Sequence, residues 1–244
     1  KYGYKDSLAS ASIAAGGTLG ILIPPSVMLV IYGILTETSI RELFAAGFIP
    51  GMLGILLYLA AVKWVMWRDP SAGPAGEVVP WRERWAALKS VGSTLALFVL
   101  VIGGIYLGVF TPTEAAGIGA MGAFVIALLR RALTFSLLLE VLRDTVRTTA
   151  MLFAVVLTAL IFANFINRAG LPNDLLAFVN GLQLSPFPVI LVILAIYVAL
   201  GCVFESMSML LLTVPVFFPV VAGLGFDLVW FGILVVIVIE ISLI

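Results

Sequence analysis

The sequence predicts an all-α integral membrane protein with broken helices, a re-entrant hairpin and an internal repeat of inverted orientation. Composition is the first observation behind this class. Of 244 residues, 63% are hydrophobic and 11% charged, and the mean hydropathy is +1.23. Soluble domains carry about 25% charged residues, so a water-soluble surface cannot be built from this chain. The second observation is that the apolar residues fall in runs long enough for helices of roughly 20 residues to cross a bilayer. The third is that several of these runs are interrupted at mid-length by glycine and proline.

The elements follow in order. The first run, Leu8 to Leu35, is interrupted by Gly16-Gly17, Gly20 and Pro24-Pro25. Continuous spans are expected at Leu43 to Trp67, Val91 to Val109, Ala115 to Leu129 and Thr148 to Ile166. A long stretch, Phe187 to Leu224, is broken near Gly201 and again at Pro215 and Pro219, and a last run covers Leu228 to Ile244. The polar segment Arg68 to Trp85, extended to Lys89 with its basic residues (68–89), is the one expected extramembrane linker within a single transmembrane domain, 1–244. The chain opens at Lys1 without a signal peptide and stops inside an apolar run, so a fragment of a longer membrane protein is expected.

Charge and residue types exclude several functions. Thirteen basic and thirteen acidic residues cancel, and no basic patch forms, which argues against nucleic acid as a partner. Cys202 is the only cysteine, so an internal disulfide is impossible. Histidine is absent, there is no cysteine cluster, and no helix carries paired carboxylates, which disfavours a membrane enzyme.

Basic residues orient the chain. Lys63, Arg68, Arg82, Arg84 and Lys89 flank one loop and Arg130, Arg131, Arg143 and Arg147 another, whereas Thr36 to Ser39 and Gly108 to Thr113 contain no Lys or Arg. The positive-inside rule makes the basic loops cytoplasmic, and each crossing then alternates without contradiction. Trp64, Trp67, Trp81 and Trp85 fit an aromatic belt beside the cytoplasmic loop. Two full spans or one hairpin would both begin and end Phe187 to Leu224 on the same side. The Gly201-Cys202-Val203-Phe204-Glu205-Ser206 run suits a hairpin tip better than a helix interior, and the hairpin is favoured.

Two segments also resemble each other. Gly3-Tyr4-Lys5-Asp6 leads into an apolar helix ending Leu22-Ile23, and Gly225-Phe226-Asp227 leads into one ending Leu243-Ile244, at a separation of 221 residues (Asp6 to Asp227, Ile23 to Ile244). The expected topology puts Asp6 inside and Asp227 outside, which is the pattern of an inverted-repeat transporter.

Three motifs bear on chemistry. In Gly16-Gly17-Thr18-Leu19-Gly20-Ile21-Leu22-Ile23-Pro24-Pro25-Ser26, two prolines in succession remove two N–H donors and end a regular helix. Exposed carbonyls and the Thr18 and Ser26 hydroxyls are hard oxygen ligands for a small cation, and a half-helix N-terminus suits a carboxylate. A simple kink with packing glycines is the plainer alternative. At Gly201 to Ser208, Glu205 lies within an apolar stretch flanked by Ser206 and Ser208; it is functional if the tip stays at depth and interfacial if two spans cross. Thr111-Pro112-Thr113-Glu114 reads as a capping box, so Glu114 is read as structural. Glu240 lies within the last run, with its facing left open. The candidate ion-binding residues are therefore Gly16, Gly17, Thr18, Gly20, Gly201, Glu205 and Ser206, and the candidate substrate-binding residues Pro24, Pro25, Ser26 and Ser208.

These residues resemble the large membrane subunit of tripartite ATP-independent periplasmic (TRAP) transporters. GGTLGILIPPS after a GYKDSLA lead-in is specific, and RELFAAGFIPG (41–51), GVFTPTEAAGIGA (108–120) and GFDLVWFGILVV (225–236) follow in order over essentially the whole chain. The resemblance implies a multi-pass protein of the bacterial inner membrane that imports organic acids with sodium as coupling ion, by an elevator motion, with no other cofactor. It implies a soluble periplasmic binding protein and a small membrane subunit as partners. It also implies a Ser-Gly-Ser-Ser hairpin before Lys1 and a Thr-Pro-Pro after Ile244, so that this chain holds half of each ion site. Asp227 to Ile244 would belong to the second. A binding-protein-independent divalent-anion symporter is the alternative; a purely structural membrane subunit would leave the broken helix unexplained.

The topology is tested by labelling. In a Cys202→Ala background, a cysteine replacing Ala75 should react with an impermeant thiol reagent only after the cells are opened. Labelling from outside intact cells would reverse the orientation.

Overall fold

The computed structural model describes residues 3–74, 79–183 and 185–243. Lys1, position 75 with the rest of 75–78, and Ile244 lie outside the described residues. Helices make up the described secondary structure: α1 (Asp6–Leu19), α2 (Val27–Thr36), α3 (Ile40–Arg68), α4 (Trp81–Tyr106), α5 (Pro112–Leu129), α6 (Phe135–Arg168), α7 (Leu171–Gly181), α8 (Pro186–Gly201), α9 (Ser206–Gly223) and α10 (Leu228–Ser242). Among the described residues, α3, α5, α6 and α9 are each long and apolar enough to cross a membrane, and α4 is a fifth if its two segments, bent by 58°, count as one span. Large apolar side chains face outward on these helices; Ile49, Trp67 and Leu129 are each at least 75% exposed. That surface is one for lipid or protein, not water.

The helices fall into two units, 74–153 and 3–73 with 154–244. In the first, α4 and α5 pair as a helical hairpin. Gly122 admits Leu97, Gly119 lies against Val101, and Arg130 donates to Ser93 Oγ at 2.6 Å. The connection turns at Gly108 (φ +76), with Phe110 folded onto Gly104. Thr111 and Glu114 then form the expected capping box: Glu114 N–H donates to Thr111 Oγ1 at 3.3 Å, and Thr111 N–H to Glu114 Oε2 at 2.8 Å.

The second unit has its core where α2, α8, α9 and α10 pack together. Tyr32 is fully buried, donates to the Leu228 carbonyl at 2.7 Å, and lays its ring over Gly232, where any Cβ would collide with it. The glycines of α3 do similar work for the chain after α1. Gly47 faces the Leu22 carbonyl (3.0 Å from an added Cβ), Gly51 faces Ile23 and Gly54 faces Leu19. Spaced four and three residues apart, they form one smooth stripe on which a non-helical segment can lie close. Lys5 closes this layer at the other end, bonding through N–H to the Ala72 carbonyl at 2.9 Å and through its ammonium to Asp69. The Lys5 contact holds the Asp69 carboxyl below the usual carboxylate range.

Four boundaries differ from expectation. α4 starts at Trp81, so the last residues of the expected 68–89 linker are helical. α6 starts at Phe135 instead of near Thr148, because Phe135–Arg147 is amphipathic and its charges hide it from a hydropathy reading. α7 is a further helix between the fifth expected span and the hairpin. α9 runs unbroken through Pro215 and Pro219. These prolines sit four apart in a half-buried helix, where close neighbours hold the backbone helical despite two missing donors.

A Gly47→Ala change should cost about 1–3 kcal/mol, because the Leu22 backbone must move. Gly92→Ala, at a glycine with no neighbour within 4 Å of an added Cβ, should stay within about 1 kcal/mol of wild type. Thermal unfolding of the detergent-solubilised protein compares them; equal effects would remove the close-approach role of the stripe.

Candidate functional site

Two interruptions of helical backbone lie in the second unit. The first runs from Gly20 to Ser26. α1 unwinds through tight turns, with Gly20 N–H on Gly17 O (3.3 Å), Ile21 N–H on Thr18 O (2.9 Å) and Ile23 N–H on Leu19 O (3.1 Å). The Pro24–Pro25 peptide is cis. Ser26 then caps α2: its oxygen accepts from Leu29 N–H at 3.3 Å, and its hydroxyl donates to the Ile21 carbonyl. Pro24 and Ser26 are buried, Thr18 is half-buried, and Gly20 and Pro25 are exposed. Gly16 and Gly17 have nothing within 4 Å of an added Cβ, so neither is there to admit a packing neighbour.

The second interruption is the tip between α8 and α9. Val203 and Phe204 N–H both reach the Leu200 carbonyl, at 2.9 and 2.8 Å. Glu205 is exposed and caps α9; its Oε2 accepts from Ser208 N–H at 3.1 Å and lies 3.4 Å from Ser208 Oγ. Ser206 is buried and Ser208 half-buried. The arms are joined near the tip, where buried Thr213 Oγ1 sits 2.7 Å from Tyr197 Oη and 2.6 Å from the Met209 carbonyl, and the Tyr197 and Phe217 rings lie 5.8 Å apart. This pairing makes α8 and α9 a helical hairpin.

The end of α10 connects the two. Asp227 caps its start, with Trp230 N–H on Oδ1 at 2.7 Å, after Gly225 at φ +81; the lead-in to α1 likewise turns at Gly3, φ +71. The two similar sequence segments thus share a left-handed glycine ahead of their helices. At the other end of α10, Gly201 of the hairpin tip lies so close to Ser242 that an added Cβ would collide with its Oγ. Two residues earlier, Glu240 lies beside Thr18 at the end of α1. Glu240 is only 5% exposed, and its Oε1 has no hydrogen-bond partner among the described residues.

Gly201 and Thr18 therefore border the last turn of α10 at Ser242 and Glu240, two residues apart and on different sides of that helix. Ser26 and Glu205 serve as caps on the following helices. Both interruptions have one electrical form: a helix C-terminus, whose carbonyls favour cations, followed by a helix N-terminus, whose N–H groups favour anions. Glu240 is the residue that sequence reasoning named without assigning a role. A carboxyl inside an apolar span was the available signal.

Residues 1–244 match the family described as tripartite ATP-independent periplasmic transporter, DctM component. The chain belongs to this family. It is 37% identical over 243 residues to the C4-dicarboxylate TRAP transporter large permease protein DctM of Pseudomonas aeruginosa, covering 99% of this chain and 56% of that protein. Over 239 residues it is 36% identical to the sialic acid TRAP transporter large permease protein SiaM of Vibrio cholerae, covering 96% and 54%. Over 235 residues it is 35% identical to the ectoine/5-hydroxyectoine large permease protein UehC of Ruegeria pomeroyi, covering 95% and 54%. The chain spans just over half the length of these relatives, which are permeases and not enzymes.

Gly201→Ala should destabilise the protein by about 1–3 kcal/mol through its clash with Ser242. Adding Ser242→Gly should recover most of that loss, as coupled neighbours do in a double-mutant cycle. Additive losses in thermal unfolding would show that the tip and α10 do not press on each other.

Proposed function

We propose that this chain is the core of a sodium-coupled permease importing small organic carboxylates across the bacterial inner membrane. A periplasmic binding protein delivers the substrate, and a small membrane subunit stands beside the permease. Family membership supports the transport reading. The observation that carries the ion and substrate assignment is that both interruptions border the last turn of α10, Thr18 beside Glu240 and Gly201 against Ser242.

Sodium is held at the C-terminal ends of α1 and α8 by oxygen ligands: Gly16, Gly17, Thr18 and Gly20 at one, Gly201, Glu205 and Ser206 at the other. The carboxylate substrate lies toward the N-terminal ends of α2 and α9, near Pro24, Pro25, Ser26 and Ser208. Glu205 already caps α9 with its own carboxylate, so the uncharged Ser26 cap of α2 is the better anion position. The hairpin is re-entrant in this reading. α8, of 16 residues, extends roughly 24 Å, short of a ~30 Å hydrocarbon core, and it is held side by side with α9 through Tyr197 and Thr213. Both interruptions belong to one compact unit, which suits an elevator motion that carries ions and substrate as one body.

Uptake by proteoliposomes containing the full-length permease and its small subunit tests this. Accumulation of a dicarboxylate, sialic acid or ectoine should require both sodium and the binding protein. Thr18→Val should raise the sodium concentration for half-maximal uptake several-fold at normal expression, since it keeps the shape and removes the hydroxyl oxygen. Uptake with sodium but without any binding protein would favour the divalent-anion symporter reading. An unchanged sodium requirement in Thr18→Val would return Gly16 to Ser26 to a structural kink.

A further inference from the structure

We propose that Glu240 is the charged ligand of the cation site at the end of α1, an inference that rests on the reading of that end as a sodium site. Glu240 is 95% buried in an apolar helix, as its 5% exposure shows, and one of its oxygens has no hydrogen-bond partner among the described residues. A carboxylate in that setting is strongly unfavourable unless a positive charge comes to it.

Its immediate neighbour cannot meet the need. The Thr18 hydroxyl has one hydrogen, and it is given to the Ala15 carbonyl at 3.0 Å. Both lone pairs on Glu240 Oε1 are left over. The last turn of α1, to which Thr18 belongs, is the negative end of that helix dipole and offers carbonyls instead of donors. A cluster of oxygens with one full negative charge and a deficit of donors is a site for a hard monovalent cation. Gly16 and Gly17, with open space where a side chain would be, leave the carbonyls of that turn approachable.

The charge matters for transport as well as affinity. A site made of carbonyls and hydroxyls becomes net positive when sodium enters, whereas one containing Glu240 becomes neutral. A neutral ion–protein unit meets a lower barrier in low-dielectric surroundings. Because Glu240 sits two residues from Ser242, which presses on Gly201, filling one site also steadies the turn that supports the hairpin tip.

The test reads binding, not transport. The purified full-length permease with its small subunit is melted across a sodium chloride series, with choline chloride holding ionic strength constant. A melting temperature that rises with sodium in wild type establishes the ion site. If it does not rise, the sodium reading itself fails. Given that rise, Glu240→Gln should shift the sodium midpoint upward by at least tenfold. Its sodium-free melting temperature should equal or exceed that of wild type, since a bare buried charge has been removed. An unchanged midpoint overturns the proposal. So does a variant that loses sodium-free stability, or fails to fold, since that marks Glu240 as a packing or hydrogen-bonding residue only.

Discussion

Backbone that leaves a helix among close-packed apolar neighbours has little water to satisfy it, so its freed N–H and C=O groups need partners inside the protein. This constraint shapes the second unit. At Gly20 to Ser26 the chain closes its carbonyls with tight turns and takes one further donor, the Ser26 hydroxyl, onto Ile21. At the hairpin tip, Leu200 accepts from two successive N–H groups. Such segments are stable only when other backbone comes close enough to exclude lipid. That explains the glycines: Gly47, Gly51 and Gly54 under the first interruption, Gly201 under Ser242, and Gly232 under Tyr32. Side chains at these positions would hold the helices apart and expose the turns.

The same turns give the unit its electrical pattern. A helix that stops and restarts presents first a negative and then a positive end, each with about half an elementary charge. Caps decide which ends remain available. Ser26 closes the start of α2 without charge, while Glu205 closes the start of α9 with a carboxylate. The two interruptions are therefore unequal as anion sites although both run from a helix C-terminus to a helix N-terminus. At the C-terminal ends the inequality reverses, because Glu240 faces the end of α1 while Ser242 faces the tip.

Much of this was legible in the sequence, and each failure has a physical cause. The first interruption, the hairpin tip, the capping box at Thr111 and the glycine-led start of α10 were readable because Gly, Pro and capping residues act locally. The amphipathic stretch Phe135–Arg147 and α7 were missed because hydropathy averages out a charged face that a 3.6-residue period would have shown. Pro215 and Pro219 were overread. Proline breaks an isolated helix, but α9 packs against α2, α7, α8 and α10, and that packing outweighs two absent donors. Glu240 could be seen as buried in an apolar run. What could not be seen was its partner, since the contact with Thr18 joins residues more than 200 positions apart and depends on how α10 crosses the core.

The repeat sharpens the meaning of Glu240. At the 221-residue offset that aligns Asp6 with Asp227, Glu240 corresponds to Leu19, and Thr18 to Ile239. The two helices therefore share a lead-in and an apolar body, but not the polar groups at their ends. α1 brings backbone freedom and a hydroxyl, and α10 brings a carboxylate. A symmetric pair would set either two hydroxyls or two carboxylates together; the second would repel, and the first would leave a bound cation unneutralised. By differing at these two aligned positions, the two copies place a charge from one beside the unwound end of the other. The contact is thus complementary and not duplicated, and each helix needs the other to complete it.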